Sequence, residues 1–298
     1  MRFASIDIGS NAVRLLLCNV FETGNDPIFK KAELIRMPLR LGEDAFRFKK
    51  ITERKSEQLI KVMKAFKLLI EAFEVIDYKA CATSAMREAE NSAELIEKIR
   101  KQSGIEIELI DGKTEAQIIY SNHIAEHLEP NQSYLYIDVG GGSTELTLFS
   151  ENHIVHSQSF NIGTIRMLQN QVTKETWQYF KDWIKQITTG ITPLTAIGSG
   201  GNINKIIKMS GRKEGKPVSL EKLREIYEYL QTFTYEERIT KLGLNPDRAD
   251  VIIPATKIFI TVIKTAGIEQ VLVPQIGLAD GIIHLLYEKN KRMPQIFP

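Results

Sequence analysis

The stretch Asp138-Val139-Gly140-Gly141-Gly142-Ser143-Thr144-Glu145 carries an acid at each end of a glycine run, with a hydroxyl beside the run. Consecutive glycines keep side chains clear of whatever lies above the backbone, and their amides can converge on an anion. Two carboxylates near a phosphate require a cation. A hard metal ion such as Mg2+, which takes oxygen ligands and keeps several waters, suits that set. Read alone, the stretch is also an ordinary glycine-rich hairpin turn. The pattern recurs, however, in Asp7-Ile8-Gly9-Ser10-Asn11. Placing Asp7 on Asp138, 131 residues later, puts Gly9 on Gly140 and Leu15 on Leu146 without a gap. A fixed offset between two strand-turn-strand patterns points to a duplicated domain, with one phosphate-facing turn per half and a cleft between them.

The elements around these turns follow from the hydrophobic pattern. Apolar runs at 134–137 and 146–149 flank the second turn as strands, and 12–20 follows the first. The segment Pro38 to Glu43 reads as a loop carrying Arg40, and Thr52 as the cap of a long amphipathic helix. Lys61, Lys64 and Lys67 form that helix's solvated face. A strand over 78–85 delivers Thr83, Ser84 and Arg87 to a strand end, where ligands bind in open sheets. Asn91 and Glu94 have capping-box spacing. A strand over 105–110 and the turn Asp111-Gly112 lead into a helix from Thr114 to about His127. Glu115 lies in its first turn, where the helix dipole favours a carboxylate, so locally it is a helix-start acid. His123 and His127 lack a third ligand and read as surface histidines rather than a zinc site.

The polar loop Glu129 to Ser133 marks the expected boundary, with domains at 1–128 and 129–298. Beyond it, Arg166 follows a glycine at a helix start and is a phosphate-contact candidate. Leu194 to Ile203 reads as strand, glycine turn and helix, so Gly200 and Gly201 would present unpaired amides to a phosphate. The basic insert Arg212 to Lys216 either extends a positive cleft or is a solvated loop. A long helix from Asn245 to Thr265 and a strand over 270–274 precede a helix whose Ile282, Ile283 and Leu286 should pack on a sheet.

At 298 residues the chain exceeds what one core usually supports, which predicts two domains. A net charge of +2 provides no global field for nucleic acid, so none is expected as a partner, and anion recognition must be local. Cys18 and Cys81 lie in apolar runs and read as reduced core residues. No membrane association is expected, because no apolar run reaches roughly 18 residues. With no basic-then-apolar leader, cytoplasmic residence is the expectation.

The segments Asp7 to Asn11, Ala82 to Arg87, Gly112 to Ala116, Asp138 to Glu145, Gly198 to Gly201, Arg248 to Asp250 and Gly277 to Gly281, in that order, resemble the exopolyphosphatase and guanosine pentaphosphate phosphohydrolase (Ppx/GppA) family in its short, two-domain form. The resemblance implies an α/β fold of two RNase H-like domains of the actin, sugar kinase and Hsp70 superfamily around an interdomain cleft. The helix after Gly281 would pack back on the first domain. It further implies hydrolysis of the terminal phosphate of inorganic polyphosphate with Mg2+, or of the 5′-terminal phosphate of pppGpp. By the same resemblance Glu115 is the base that activates water, and Asp138 and Glu145 are acids of metal and catalysis. Asp7 joins them at the metal. Phosphate contacts fall to Ser10, Asn11, Arg87, Gly140, Gly141, Gly142, Ser143, Gly200 and Gly201.

Two positions depart from the family pattern. Relatives often carry two acids where this chain has Thr114-Glu115, and an arginine with an acid where it has Ala279-Asp280. A kinase of the same superfamily and a non-catalytic polyphosphate sensor are the competing classes. A homodimer is expected from the frequency of twofold assemblies.

Overall fold

The computed structural model describes residues 1–23, 26–120, 132–151, 153–212, 215–274 and 276–291. Residues His123, His127, Glu129 to Asn131, Lys213 and Glu214 lie outside them. The chain divides into two compact units, one formed by Met1–Ile124 with Gly277–Pro298 and the other by Ala125–Ile276.

The first unit contains β1 (Arg2–Ile8), β2 (Val13–Thr23), β3 (Asp26–Met37), α1 (Leu41–Phe48), α2 (Glu53–Ala72), β4 (Asp77–Ala82), α3 (Ser84–Glu88), α4 (Ser92–Ser103), β5 (Ile107–Leu109) and α5 (Gly112–Tyr120). Its sheet runs β3-β2-β1-β4-β5. The first three strands form an antiparallel meander, and β4 and β5 add in parallel, which gives the RNase H-like order. β1 is buried from Phe3 onward, as a central strand covered on both faces must be.

The second unit repeats the plan with β6 (Ser133–Val139), β7 (Thr144–Ser150), β8 (His153–Phe160), α6 (Thr164–Leu168), α7 (Lys174–Thr188), β9 (Leu194–Ser199), α8 (Gly201–Met209), β10 (Val218–Ser219), α9 (Leu220–Gln231), α10 (Tyr235–Thr240), α11 (Pro246–Ala249), α12 (Ile252–Thr265) and β11 (Gln270–Leu272). Its order β8-β7-β6-β9-β11 matches the first sheet, with β10 paired antiparallel to β11 at the edge. α12 is the central helix of its core, burying Ile258, Phe259, Val262 and Ile263.

The chain then returns to the first unit as α13 (Leu278–Lys291), which packs on β1 and α5. The Ser5 hydroxyl donates to the Ala279 carbonyl in a buried bond of 2.8 Å, and Lys31 pairs with Asp280 at 2.7 Å. Gly281 meets α5 so closely that a Cβ there would overlap the carbonyl of Ile118.

Several local expectations fail for identifiable reasons. The loop expected over Pro38 to Glu43 gives way at Leu41 to a helix over 41–48, because Leu41, Ala45 and Phe46 supply a buried face. Thr52 sits at the helix start but caps nothing with its side chain; its hydroxyl instead donates to Asp44 at 2.5 Å. Asn91 likewise makes no cap, since its amide spans the backbone of Ile51 through two bonds of 2.8 and 2.9 Å. The expected strand over 78–85 stops at Ala82 and gives way to α3, and the expected long helix from 245 breaks at Asp250-Val251.

Candidate active site

The two glycine turns share one backbone construction. In the first, the Gly9 amide donates to the Ala12 carbonyl at 3.1 Å, and Asp7 stands opposite Arg14 in the β1–β2 register. In the second, the Gly140 amide donates to the Ser143 carbonyl at 2.9 Å, and Asp138 stands opposite Glu145. Every one of these second-turn positions lies 131 residues beyond its first-turn counterpart.

Both turns have carbonyls drawn back by the amides of a nearby helix start. Gly42 donates to Ser10 at 2.9 Å and Arg40 to Asn11 at 3.0 Å. Thr164 donates to Gly140 at 3.1 Å and Ile165 to Gly141 at 2.8 Å. Gly163 makes the second arrangement feasible, because a Cβ there would overlap Gly141 and Gly142. Arg166, expected to contact phosphate, is buried, and its Nε donates to the Gly142 carbonyl at 2.6 Å. That bond braces the turn, a contact that a glycine followed by a helix start does not reveal. With these carbonyls fixed, the amides of Gly141 and Gly142 donate to no group among the described residues, and the same holds for the Ser143 hydroxyl. Successive free amides are the elements of an anion nest.

The charges beside the turns differ. Asp7 is buried and paired to Arg14, Nη1 to Oδ2 at 2.5 Å. Asp138 faces a second carboxylate instead, and Glu145 is only 3% exposed with Oε1 accepting from Ser159 Oγ at 2.8 Å. Like charges directly opposite on antiparallel strands destabilise the pair, so a cation bound there stabilises it. Among the described residues no group of three His, Cys, Asp or Glu side chains could hold a metal. A two-carboxylate site fits Mg2+, which takes one or two carboxylates and completes its shell with water and substrate phosphate. Gly200, at φ +102°, adjoins this pair; a Cβ on it would stand 3.2 Å from Asp138 Oδ1. Gly201 begins α8 directly after it.

In the first unit, the Ser10 hydroxyl bonds that of Ser84 at 2.8 Å, tying the first turn to α3, and Asn11 lies beside it in the same turn. Arg87, half-buried on α3, donates through Nη1 to the Ile110 carbonyl at 2.6 Å. Glu115 is 8% exposed in the first turn of α5. That helix start is held by Asp111, whose Oδ1 accepts the Thr114 amide at 2.7 Å. Hydrogen bonds from the Thr114 hydroxyl and amide keep the Asp111 carboxyl below its usual range, helped by the charges of Arg87 and Lys113. Thr114 thus serves the cap. Burial pushes the Cys81 thiol up to about 12, opposed by Lys79 and aided by the carboxylates of Glu108, Asp7 and Glu115. Cys18 and Cys81 are buried free thiols. Arg14, Asp111 and Gly163 carry more of the site than their local sequence signals; the offset between the halves would have marked Arg14 as the counterpart of Glu145.

The family model for the Ppx/GppA phosphatase family matches residues 27–290. The chain belongs to the Ppx/GppA phosphatase family. Among its relatives is a bifunctional 3-dehydroquinate synthase/phosphatase of Fusobacterium nucleatum, 29% identical over 295 residues, covering 91% of this chain and 44% of that protein. The chain thus spans under half of that relative's length. Exopolyphosphatase 1 of Mycobacterium tuberculosis is 22% identical over 303 residues, covering 95% of this chain and 87% of that one. The fold agrees with two Ppx/GppA-type crystal structures. An exopolyphosphatase from Cytophaga hutchinsonii superposes with a TM-score of 0.83 at 23% identity, covering 97% and 98% of the two chains. The Ppx/GppA family member of Aquifex aeolicus gives 0.78 at 24%, covering 98% and 99%. No helix among the described residues is long and apolar enough to cross a membrane.

Proposed function

We propose that this chain is an exopolyphosphatase that hydrolyses the terminal phosphoanhydride of inorganic polyphosphate. The observation that carries the reading is the facing Asp138 and Glu145 beside the free amides of Gly141 and Gly142. Family membership and the resemblance to proteins named exopolyphosphatase support it.

In this reading Asp138 and Glu145 hold Mg2+. When bound, Mg2+ neutralises charge on the phosphoryl oxygens, which carboxylates alone would repel. The Gly141 and Gly142 amides and the Ser143 hydroxyl receive phosphate oxygens, as do Gly200 and Gly201. Ser10, Asn11 and Arg87 are the phosphate contacts that the first unit offers. Asp7 was expected at the metal, but its pairing with Arg14 recommends a different role, that of fixing the guanidinium at the first turn. Glu115 accepts a proton from water as the water oxygen bonds the terminal phosphorus. The bond from that phosphorus to its bridging oxygen breaks, and the shortened polyphosphate leaves. A positioned base of this kind contributes roughly 10² to 10⁴ in rate.

Hydrolysis of the 5′-terminal phosphate of pppGpp would use the same groups. Phosphate release from polyphosphate and from pppGpp, measured side by side with Mg2+, separates the two. The expected result is higher kcat/KM on polyphosphate; an advantage of about tenfold for pppGpp overturns it. Glu115→Gln is expected to lower kcat by about 10² or more while polyphosphate binding persists. A wild-type chain that binds polyphosphate tightly without releasing phosphate would instead be a sensor.

A further inference from the structure

We propose that the surface formed by the end of α1 and the start of α2 is a second polyanion site, which holds the distal part of a long polyphosphate chain. The proposal rests on the exopolyphosphatase reading for its ligand and on separate residues for its argument.

Arg47, Lys49, Lys50 and Arg54 are all exposed, and the only carboxylate among residues 45–55 is Glu53. Lys55 is half-buried and already paired, meeting Glu43 at 3.0 Å and Asp44 at 3.1 Å. Lys49 has Glu88 at 3.8 Å, whereas Arg47, Lys50 and Arg54 form no ion pair among the described residues. Several cations on the neighbouring helices are matched: Lys67 by Glu71, Lys98 by Glu94, and Arg100 and Lys101 by Glu97. A bound polyanion would supply the counter-charge that the exposed Arg47, Lys50 and Arg54 lack among the described residues.

The ridge is also firmly built. Ile51, 1% exposed, is bonded on both backbone groups by Asn91, and the Lys49 carbonyl accepts the Glu90 amide at 2.7 Å. Asp44 accepts from both the Thr52 amide and hydroxyl. A rigid frame lowers the ordering cost of binding. At its other end α1 begins beside the first turn, with the Arg40 and Gly42 amides on Asn11 and Ser10. The cations therefore form a continuation of one helix that starts at an expected phosphate turn. Tripolyphosphate is too short to occupy both places, whereas a chain of many phosphates is not.

The test compares the wild type with the triple variant R47Q/K50Q/R54Q on long-chain polyphosphate and on tripolyphosphate. For the long chain, Kd and KM are expected to rise about tenfold, and the slope of log Kd against log salt to fall by roughly 2, as for three lost phosphate contacts. Tripolyphosphate kcat and KM should stay within about twofold. The single variant K50E should shift long-chain binding in the same direction, provided its melting temperature matches wild type. An unchanged long-chain Kd overturns the proposal, as does an equal shift for both substrates. It is also overturned if single-stranded DNA displaces long-chain polyphosphate as readily as polyphosphate itself does. A wild type that releases no phosphate defeats the exopolyphosphatase reading alone, since the Kd comparison still decides the ridge.

Discussion

At positions 14 and 145 the two halves carry opposite charges in the same backbone setting, each facing an aspartate across a hairpin. The Arg14 guanidinium pairs with Asp7 across the first hairpin. In the second turn Asp138 stands opposite a carboxylate, that of Glu145. The two turns thus share one backbone plan and differ in the charge at this one position, which in the proposed function is what suits the second turn to a divalent ion. Glu145→Gln retains the size and removes the charge. Its expected effect is a rise of about tenfold in the Mg2+ concentration giving half-maximal phosphate release. A Mg2+ titration with unchanged midpoint would show that Glu145 is not at the metal. Much of this was legible in the residues, because Asp, Gly and Glu at these spacings restrict what the backbone can do. The pairing of Asp7 was not, because it needs two strands brought into register.

Among the elements, α6 acts as the frame of the second turn, and its first residues hold the glycine carbonyls in place. Gly163 controls the distance between them. Gly163→Ala must displace the turn or the helix, which is expected to lower stability by about 2 kcal/mol, read as a denaturation midpoint. The same displacement should lower kcat by about 10², as a misplacement of 1 Å can do. Full activity with normal stability would mean that the turn's position is immaterial. The elements least legible in sequence are those whose polar residues serve distant partners. Asn91 and Thr52 resemble caps, yet each is committed to a segment tens of residues away or to an acid on the preceding helix. Local spacing cannot reveal such competition for a side chain. Pro38 and Gly42 likewise suggest a loop, although α1 owes its existence to the core it buries.

Across the whole molecule, the two sheets share their strand order, and the 131-residue offset is already present in the sequence because turn chemistry is local. Which sheet α13 covers has no local signature, since Ile282, Ile283 and Leu286 would suit either core. The structure puts α13 on β1 and α5, so the first unit is made of two pieces and the second of one. Removing residues 277–298 is expected to abolish protection of β1 and α5 amides in hydrogen exchange while leaving those of β6 and β9 protected. Equal protection in both units would contradict that division. The order of synthesis then runs against the order of completion. The first unit leaves the ribosome without the helix that covers Ser5 and Ile118, and waits while residues 125–276 are added, roughly 8 to 30 s at ordinary translation rates. During that interval its apolar face is open to chaperones, and the half made second can finish folding before the half made first.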